Sequence, residues 1–120
     1  MLLPEREHAI ERCLVRRVEA LGGLCWKFIS PGTAGVPDRL IILPGGRVAF
    51  VETKRPGEKA RALQRRRIAQ LTERGVWAGV ADTRELIEQA LQEIRGETPW
   101  SIGRMPTSDT ASTGSSPILP

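Results

Sequence analysis

Asp38 and the triplet Glu52-Thr53-Lys54 are the residues of this chain best placed to do chemistry together. The loop Gly35-Val36-Pro37 delivers Asp38 to the start of an apolar run, Arg39-Leu40-Ile41-Ile42-Leu43. The turn Pro44-Gly45-Gly46 follows, and Arg47-Val48-Ala49-Phe50-Val51 returns toward Glu52. A three-residue hairpin loop makes Leu43 and Arg47 flank the turn, and counting outward pairs Asp38 with Glu52. Opposed residues of an antiparallel pair have Cβ atoms about 4.5–5.5 Å apart on one face, near enough for two carboxylates to ligate one cation. Glu52 and Lys54 share that face because strand side chains alternate. A loop of two or four residues would set Asp38 against Thr53 and turn it to the other face, unless a bulge corrected the register.

Facing carboxylates repel unless a cation lies between them. Hard oxygen donors suit Mg²⁺ or Mn²⁺, ions that borrow further oxygens from substrate phosphate and water. Lys54, a compact charge with three donors, is placed to orient a nucleophilic water and offset charge growing on phosphorus oxygens. The plainer reading makes Glu52 and Lys54 the solvated end of an edge strand and Asp38 a turn residue after proline.

The pattern Pro37-Asp38 with Glu52-Thr53-Lys54 resembles the PD-(D/E)xK nuclease motif. From Leu21 to Val80 the chain more narrowly resembles the virus-type replication-repair nuclease family, VRR-NUC. The segments that carry this are Gly22-Gly23, Phe28-Ile29-Ser30-Pro31-Gly32, Gly35-Val36-Pro37-Asp38-Arg39, Leu43-Pro44-Gly45-Gly46-Arg47 and Phe50-Val51-Glu52-Thr53-Lys54. The resemblance implies a metal-dependent DNA nuclease with a restriction-endonuclease-like fold, of the stand-alone phage and bacterial type. Those forms are similar to Holliday-junction resolvases and are generally dimers. It further implies that Asp38 and Glu52 ligate metal, that the Thr53 backbone carbonyl joins them, and that Lys54 is the catalytic lysine. Glu11 stands where the family has a first-helix glutamate ligand, and Gln64 where it has a glutamine on the helix after the lysine. One departure is visible: the loop before Gly35 carries Thr33-Ala34 where many relatives have basic residues.

The elements needed to hold these groups can be read along the chain. A first helix is expected from Pro4 to Leu21, stopped by Gly22-Gly23, with Ile10, Cys13, Leu14, Val18 and Leu21 as its buried stripe. Glu11 borders that stripe; the alternative to metal ligation is a surface glutamate paired with Arg12, Arg16 or solvent. Leu24 to Ile29 reads as a strand and Ser30 to Val36 as a loop. The two hairpin runs are nearly continuous in apolar residues and read as central strands covered on both faces. A second helix is expected from Lys59 to Arg74, closed by Gly75. Gln64, Ile68 and Leu71 fall on its inner face, so Gln64 binds the attacking water, a phosphate or a backbone group. Val76 to Ala81 is expected as a fourth strand parallel to its neighbour. Asp82-Thr83-Arg84-Glu85 has capping-box form and opens a last helix with Leu86, Ile87, Ala90, Leu91 and Ile94 inward. The fold class is therefore α/β, a mixed sheet flanked by helices in the order α-β-β-β-α-β-α. Residues 1–96 make the nuclease-like domain, and 97–120, rich in Ser, Thr, Pro and Gly, read as a disordered tail in which Trp100 and Ile102 are the groups able to dock.

Composition bounds the partners. The 120 residues suit one domain, with 40% hydrophobic and 27% charged residues, an ordinary globular mixture. Lys and Arg outnumber Asp and Glu by 18 to 14, giving +4. What points to DNA is clustering: Lys54, Arg55, Lys59, Arg61, Arg65, Arg66 and Arg67 crowd after the proposed site, with Arg39 beside Asp38. Lys59, Arg61, Arg65 and Arg39 are the expected phosphate contacts. Cys13 and Cys25 lack metal spacing and read as reduced core thiols. Neither a membrane-length apolar run nor a secretion signal is found, which points to the cytoplasm. There is no phosphate-cradling Gly-x-x-x-x-Gly-Lys loop, so no nucleotide cofactor is expected. The single histidine, His8, reads as a helix-surface side chain, and no Ser/His/Asp set is supported. A rival function keeps the hairpin structural and makes the basic helix a non-catalytic nucleic-acid-binding module; a dimeric scaffold for protein partners ranks behind it.

Overall fold

The hairpin sets the frame. In the computed structural model, which describes residues 2–97 with side chains from His8 onward, Gly45 and Gly46 turn the chain at φ of 90° and 76°. These left-handed angles are open to glycine without penalty. The turn joins β2 (Arg39–Leu43) to β3 (Arg47–Thr53), and Leu43 pairs with Arg47 while Arg39 pairs with Val51. That is the register of a three-residue loop, and its next step outward brings Asp38 level with Glu52.

Around the hairpin the order is α1 (Leu2–Ala20), β1 (Leu24–Lys27), β2, β3, α2 (Ala62–Glu73), β4 (Trp77–Ala81) and α3 (Arg84–Ile94). One four-stranded sheet results, β1-β2-β3-β4, antiparallel except for the parallel β3–β4 pair that the α2 crossover requires. The α-β-β-β-α-β-α order matches the expectation. Helix boundaries shift by a few residues: α1 starts at Leu2 and α2 at Ala62. Pro4 lies in the first turn of α1, where its missing N–H is not needed.

Helices α1 and α3 lie together on one side of the sheet. Ile10, Leu14 and Val18 from α1 and Ile87, Ala90, Leu91 and Ile94 from α3 bury against Cys25, Ile41, Leu43, Ala49, Val51, Trp77 and Ala81. Strand alternation puts these positions on one face. Cys13 and Leu21 are only partly buried at its margin. The free thiol of Cys25 is pushed up to about 11, chiefly by burial, with the nearby Arg39 charge acting against it. Buried Glu93 accepts from Trp77 Nε1 at 3.0 Å and from Gln89 Nε2 at 3.1 Å, so its carboxylate is satisfied inside α3. At the surface, Arg17 pairs with Glu88 and ties α1 to α3.

The second face is covered unevenly, which corrects the expectation of central strands buried on both sides. Helix α2 packs over β4, burying Ile68 and Thr72. At the hairpin's other flank, no helix among the described residues packs closely on the ladder row Leu24–Ile42–Val48 or on the row Trp26–Leu40–Phe50. Leu24, Trp26 and Val48 are 47%, 54% and 45% exposed. Apolar runs report that a strand is covered; here the cover stops at β4.

A second correction concerns the last helix. Its N-cap is Thr83, whose hydroxyl accepts from Leu86 N at 3.1 Å, and not Asp82. Asp82 Oδ2 accepts instead from Gly57 N at 2.9 Å and pins the segment after Lys54. Among the described residues no helix is long and apolar enough to cross a membrane. The expected tail over 97–120 lies, from residue 98 onward, outside the described residues, as does the expected docking by Trp100 and Ile102.

Candidate active site

Asp38 is brought to the hairpin by a loop with little conformational choice. Gly35 sits at φ +85°, and a Cβ there would lie 2.7 Å from Leu63 Cγ on α2. Arg67 Nε donates to Ala34 O at 2.8 Å, so α2 holds the loop from two sides. After fully buried Pro37, Phe28 N donates to the Asp38 carbonyl at 2.8 Å and extends the β1–β2 ladder by one step. Gly35→Ala combines a strained left-handed residue with a clash and is expected to cost roughly 1–3 kcal/mol. A thermal melt checks this: a fall of several degrees is expected, and an unchanged midpoint would mean that the loop is not held in this way.

The Asp38 carboxylate turns onto Thr53. Oδ1 accepts from Thr53 N at 3.4 Å and Oδ2 from Thr53 Oγ1 at 3.5 Å. Both contacts are long for hydrogen bonds, so the carboxylate keeps unspent acceptor capacity. Burial raises its proton affinity and the Glu11 charge adds to this, with the Thr53 N–H and Arg39 acting in the other direction.

Glu52, Thr53 and Lys54 are 7%, 3% and 6% exposed at the end of β3. The Glu52 carboxyl is also raised, by burial first and by the Asp38 charge second, with Lys54 opposing both. Lys54 Nζ stands 3.5 Å from Glu52 Oε2. The backbone of Lys54 is fixed by its N–H on Ala81 O at 3.0 Å, one step beyond the parallel ladder. The reading of Glu52 and Lys54 as a solvated strand end is therefore excluded.

Gln64 settles against Glu52, its Nε2 donating to Glu52 Oε2 at 3.1 Å. Its Oε1 accepts from Arg61 N at 2.8 Å at the start of α2. A guanidinium has no lone pair to return the bond, so this is one half of a capping box. Of the roles open to Gln64 in the sequence, satisfying a backbone group is the one observed, with orientation of Glu52 added to it.

Glu11 is set apart from this pair. Its Oε2 lies 3.8 Å from Arg39 Nη2, each side chain 16% exposed. Among the described residues no three His, Cys, Asp or Glu side chains stand close enough to share an ion. The cause is the pleat: Arg39 belongs to the face that α1 covers, and it takes the glutamate there. Asp38 and Glu52 remain as a pair of hard oxygen donors whose burial and mutual repulsion favour a cation, which fits Mg²⁺ or Mn²⁺.

The basic residues divide. Lys59 and Arg61 are exposed just before α2, while Arg65 Nη1 turns back to Ala60 O at 2.6 Å. Arg55 pairs with Glu58, and Arg67 is engaged with the loop and with Gln70 Oε1 at 3.0 Å. The structural parts of Arg67 and Asp82 were missed in the sequence, because each acts on a backbone atom far along the chain.

This arrangement has counterparts. A structure titled "VRR_NUC domain" superposes with a TM-score of 0.68 at 32% identity, over 72% of this chain and 95% of that one. A phage protein named "Putative nuclease p44", from Acyrthosiphon pisum secondary endosymbiont phage 1, is 48% identical over 81 residues, 68% of this chain and 87% of its own length. The VRR-NUC domain model matches residues 4–85, a span that takes in α1 from Pro4 onward, the whole hairpin, α2 and β4. With Asp38, Glu52 and Lys54 held at the end of the same mixed sheet, the chain belongs to the VRR-NUC nuclease family.

Proposed function

We propose that this nuclease cleaves DNA phosphodiester bonds with Mg²⁺ or Mn²⁺ held by Asp38, Glu52 and the Thr53 carbonyl, joined by Glu11 when it leaves Arg39. The observation that carries the reading is the pair of half-buried Asp38 and buried Glu52, both pushed toward protonation, with Lys54 as neighbour. The bound ion would supply positive charge that polarises phosphoryl oxygens and eases loss of a proton from water. Lys54 orients that water and balances the charge that develops on phosphorus oxygens. Gln64 keeps Glu52 in one rotamer. Exposed Lys59 and Arg61, with Arg65, lie along the path from Lys54 to α2 and suit backbone phosphates.

A branched, Holliday-junction-like substrate and a place in replication, recombination or repair go with a two-fold assembly, since paired sites suit paired cuts. The uncovered rows with Leu24, Trp26 and Val48 offer an apolar face for a second copy. Trp26→Glu places a charge on this face and is expected to convert a dimer to a monomer, read by light scattering on a sizing column. Wild type running as a monomer at micromolar concentration would remove the dimer.

The direct test is cleavage of labelled duplex, flap, nicked and four-way-junction DNA with Mg²⁺, Mn²⁺ or EDTA. Cutting that needs a divalent ion is expected. Salt-dependent binding without cutting in either ion would instead select the non-catalytic nucleic-acid-binding module.

A further inference from the structure

Beside the carboxylate pair, on the side away from α2, a cleft of about 330 Å³ opens between α1 and the start of β2. It is lined by His8, Glu11, Arg12, Val15, Arg16 and Arg39. At roughly 30 Å³ per water it has room for on the order of ten waters, more than a bare anion would displace. Its lining carries three guanidinium groups and an imidazole against one carboxylate. His8, Arg12 and Arg16 recur every four residues along α1, so they stand above one another on one edge of the helix. Like charges at this spacing weaken a helix, and among the described residues no carboxylate pairs with Arg12 or Arg16. All three are exposed. On the inner wall, Arg39 Nε is buried and makes no hydrogen bond among the described residues. A buried guanidinium N–H without an acceptor is costly.

These features ask for the same thing: an extended anion that lies along the α1 edge and reaches inward to Arg39. Arg39 follows Asp38 directly, and Glu11 both lines the cleft and acts on Asp38 by its charge. The cleft thus adjoins Asp38 through these two residues, although neither carboxylate of the pair lines it. A polyanion crossing Asp38 and Glu52 would run from exposed Lys59 and Arg61 on one side into this cleft on the other. The apolar stems of Arg12 and Arg16 with Val15 give the wall a surface for a sugar, and their heads give the rim its charge.

We propose that the cleft is a subsite for a DNA backbone phosphate and its sugar flanking the scissile bond, gripped by Arg12 and Arg16 with His8 and Arg39 as further donors. The proposal rests on the nuclease reading for its place in catalysis but is tested by binding alone. The full chain would be titrated with a labelled duplex in EDTA across a salt series, beside Arg12→Ala/Arg16→Ala and a control that loses equal charge, Arg74→Ala/Arg95→Ala. Each neutralised phosphate adds about 0.9 to the slope of log K against log salt, so the cleft variant, which loses the one phosphate of the subsite, is expected to have a slope shallower by about 0.9. Between 50 and 200 mM salt it would then lose about 3.5-fold less affinity than wild type. The control should keep the wild-type slope. A cleft variant with an unchanged slope, or one changed no more than the control, overturns the subsite even if wild type cuts DNA. A shallower slope in a wild type that never cuts leaves the subsite standing and removes the nuclease reading. Circular dichroism melts of both variants establish that they are folded.

Discussion

Asp38→Asn is expected to slow cleavage by about three orders of magnitude and, without metal at neutral pH, to melt higher than wild type. The variant keeps an Oδ1 acceptor for Thr53 N and removes a charge that burial and Glu11 both disfavour. The sign follows from linkage. A carboxyl whose proton affinity is raised by folding binds more protons folded than unfolded, between the ordinary carboxylate range and its raised value. Stability therefore falls as pH rises through that window, and the full deficit is present above the raised value. Asparagine does not titrate, so its advantage should shrink as pH falls below the ordinary carboxylate range, where aspartate is protonated in both states. A gain of roughly 1 kcal/mol would raise the midpoint by about 4–8 °C in a domain of this size. Added Mg²⁺ should reverse the ranking by stabilising wild type alone. Loss of charge polarisation worth several kcal/mol corresponds to a cleavage rate lower by about three orders of magnitude. Scanning calorimetry at pH 4 and pH 7, with and without Mg²⁺, reads the whole pattern. A variant that melts below wild type at pH 7 without metal would show that the pair is not held against repulsion.

Why so much of this site could be read from sequence is a matter of range. The Pro44-Gly45-Gly46 turn is local, and its length alone sets Leu43 against Arg47 and brings Asp38 level with Glu52. Helical spacing likewise placed Ile10, Leu14 and Val18 inward, and Gln64 on the inner side of α2. What escaped depends on contacts between distant segments. Whether Glu11 turns to the carboxylates or to Arg39 is decided by which strand residue meets α1, and a helical period carries no such information. The open flank beside Trp26 has the same origin: an apolar run signals burial without saying which helix reaches it. Thr83 took the cap from Asp82 because Gly57 N, 25 positions earlier, offered Asp82 another partner.

Lys54 poses the second large test, and burial dictates which substitution to use. At 6% exposure its stem is part of the packing, so alanine would remove the ammonium and open a cavity together. Lys54→Met retains most of the stem and deletes the charge. Glu52 would be left with Gln64 Nε2 at 3.1 Å and with Asp38 as a like-charged neighbour, which pushes its carboxyl further up. By the same linkage sign, the methionine variant should approach wild-type stability in acid and lose ground as pH rises through the raised Glu52 value. Breaking a buried pair costs up to about 3–5 kcal/mol when the remaining charge cannot neutralise; proton uptake by Glu52 holds the loss below that. Cleavage is expected to fall about 10²- to 10³-fold, the usual effect of removing one group that stabilises developing charge. Raising Mg²⁺ should restore stability, since the ion compensates Glu52, without restoring the rate, since nothing then orients the water. Cleavage within tenfold of wild type at saturating Mg²⁺ would reduce Lys54 to a counter-ion for Glu52, and the reaction would have to draw its charge stabilisation from elsewhere.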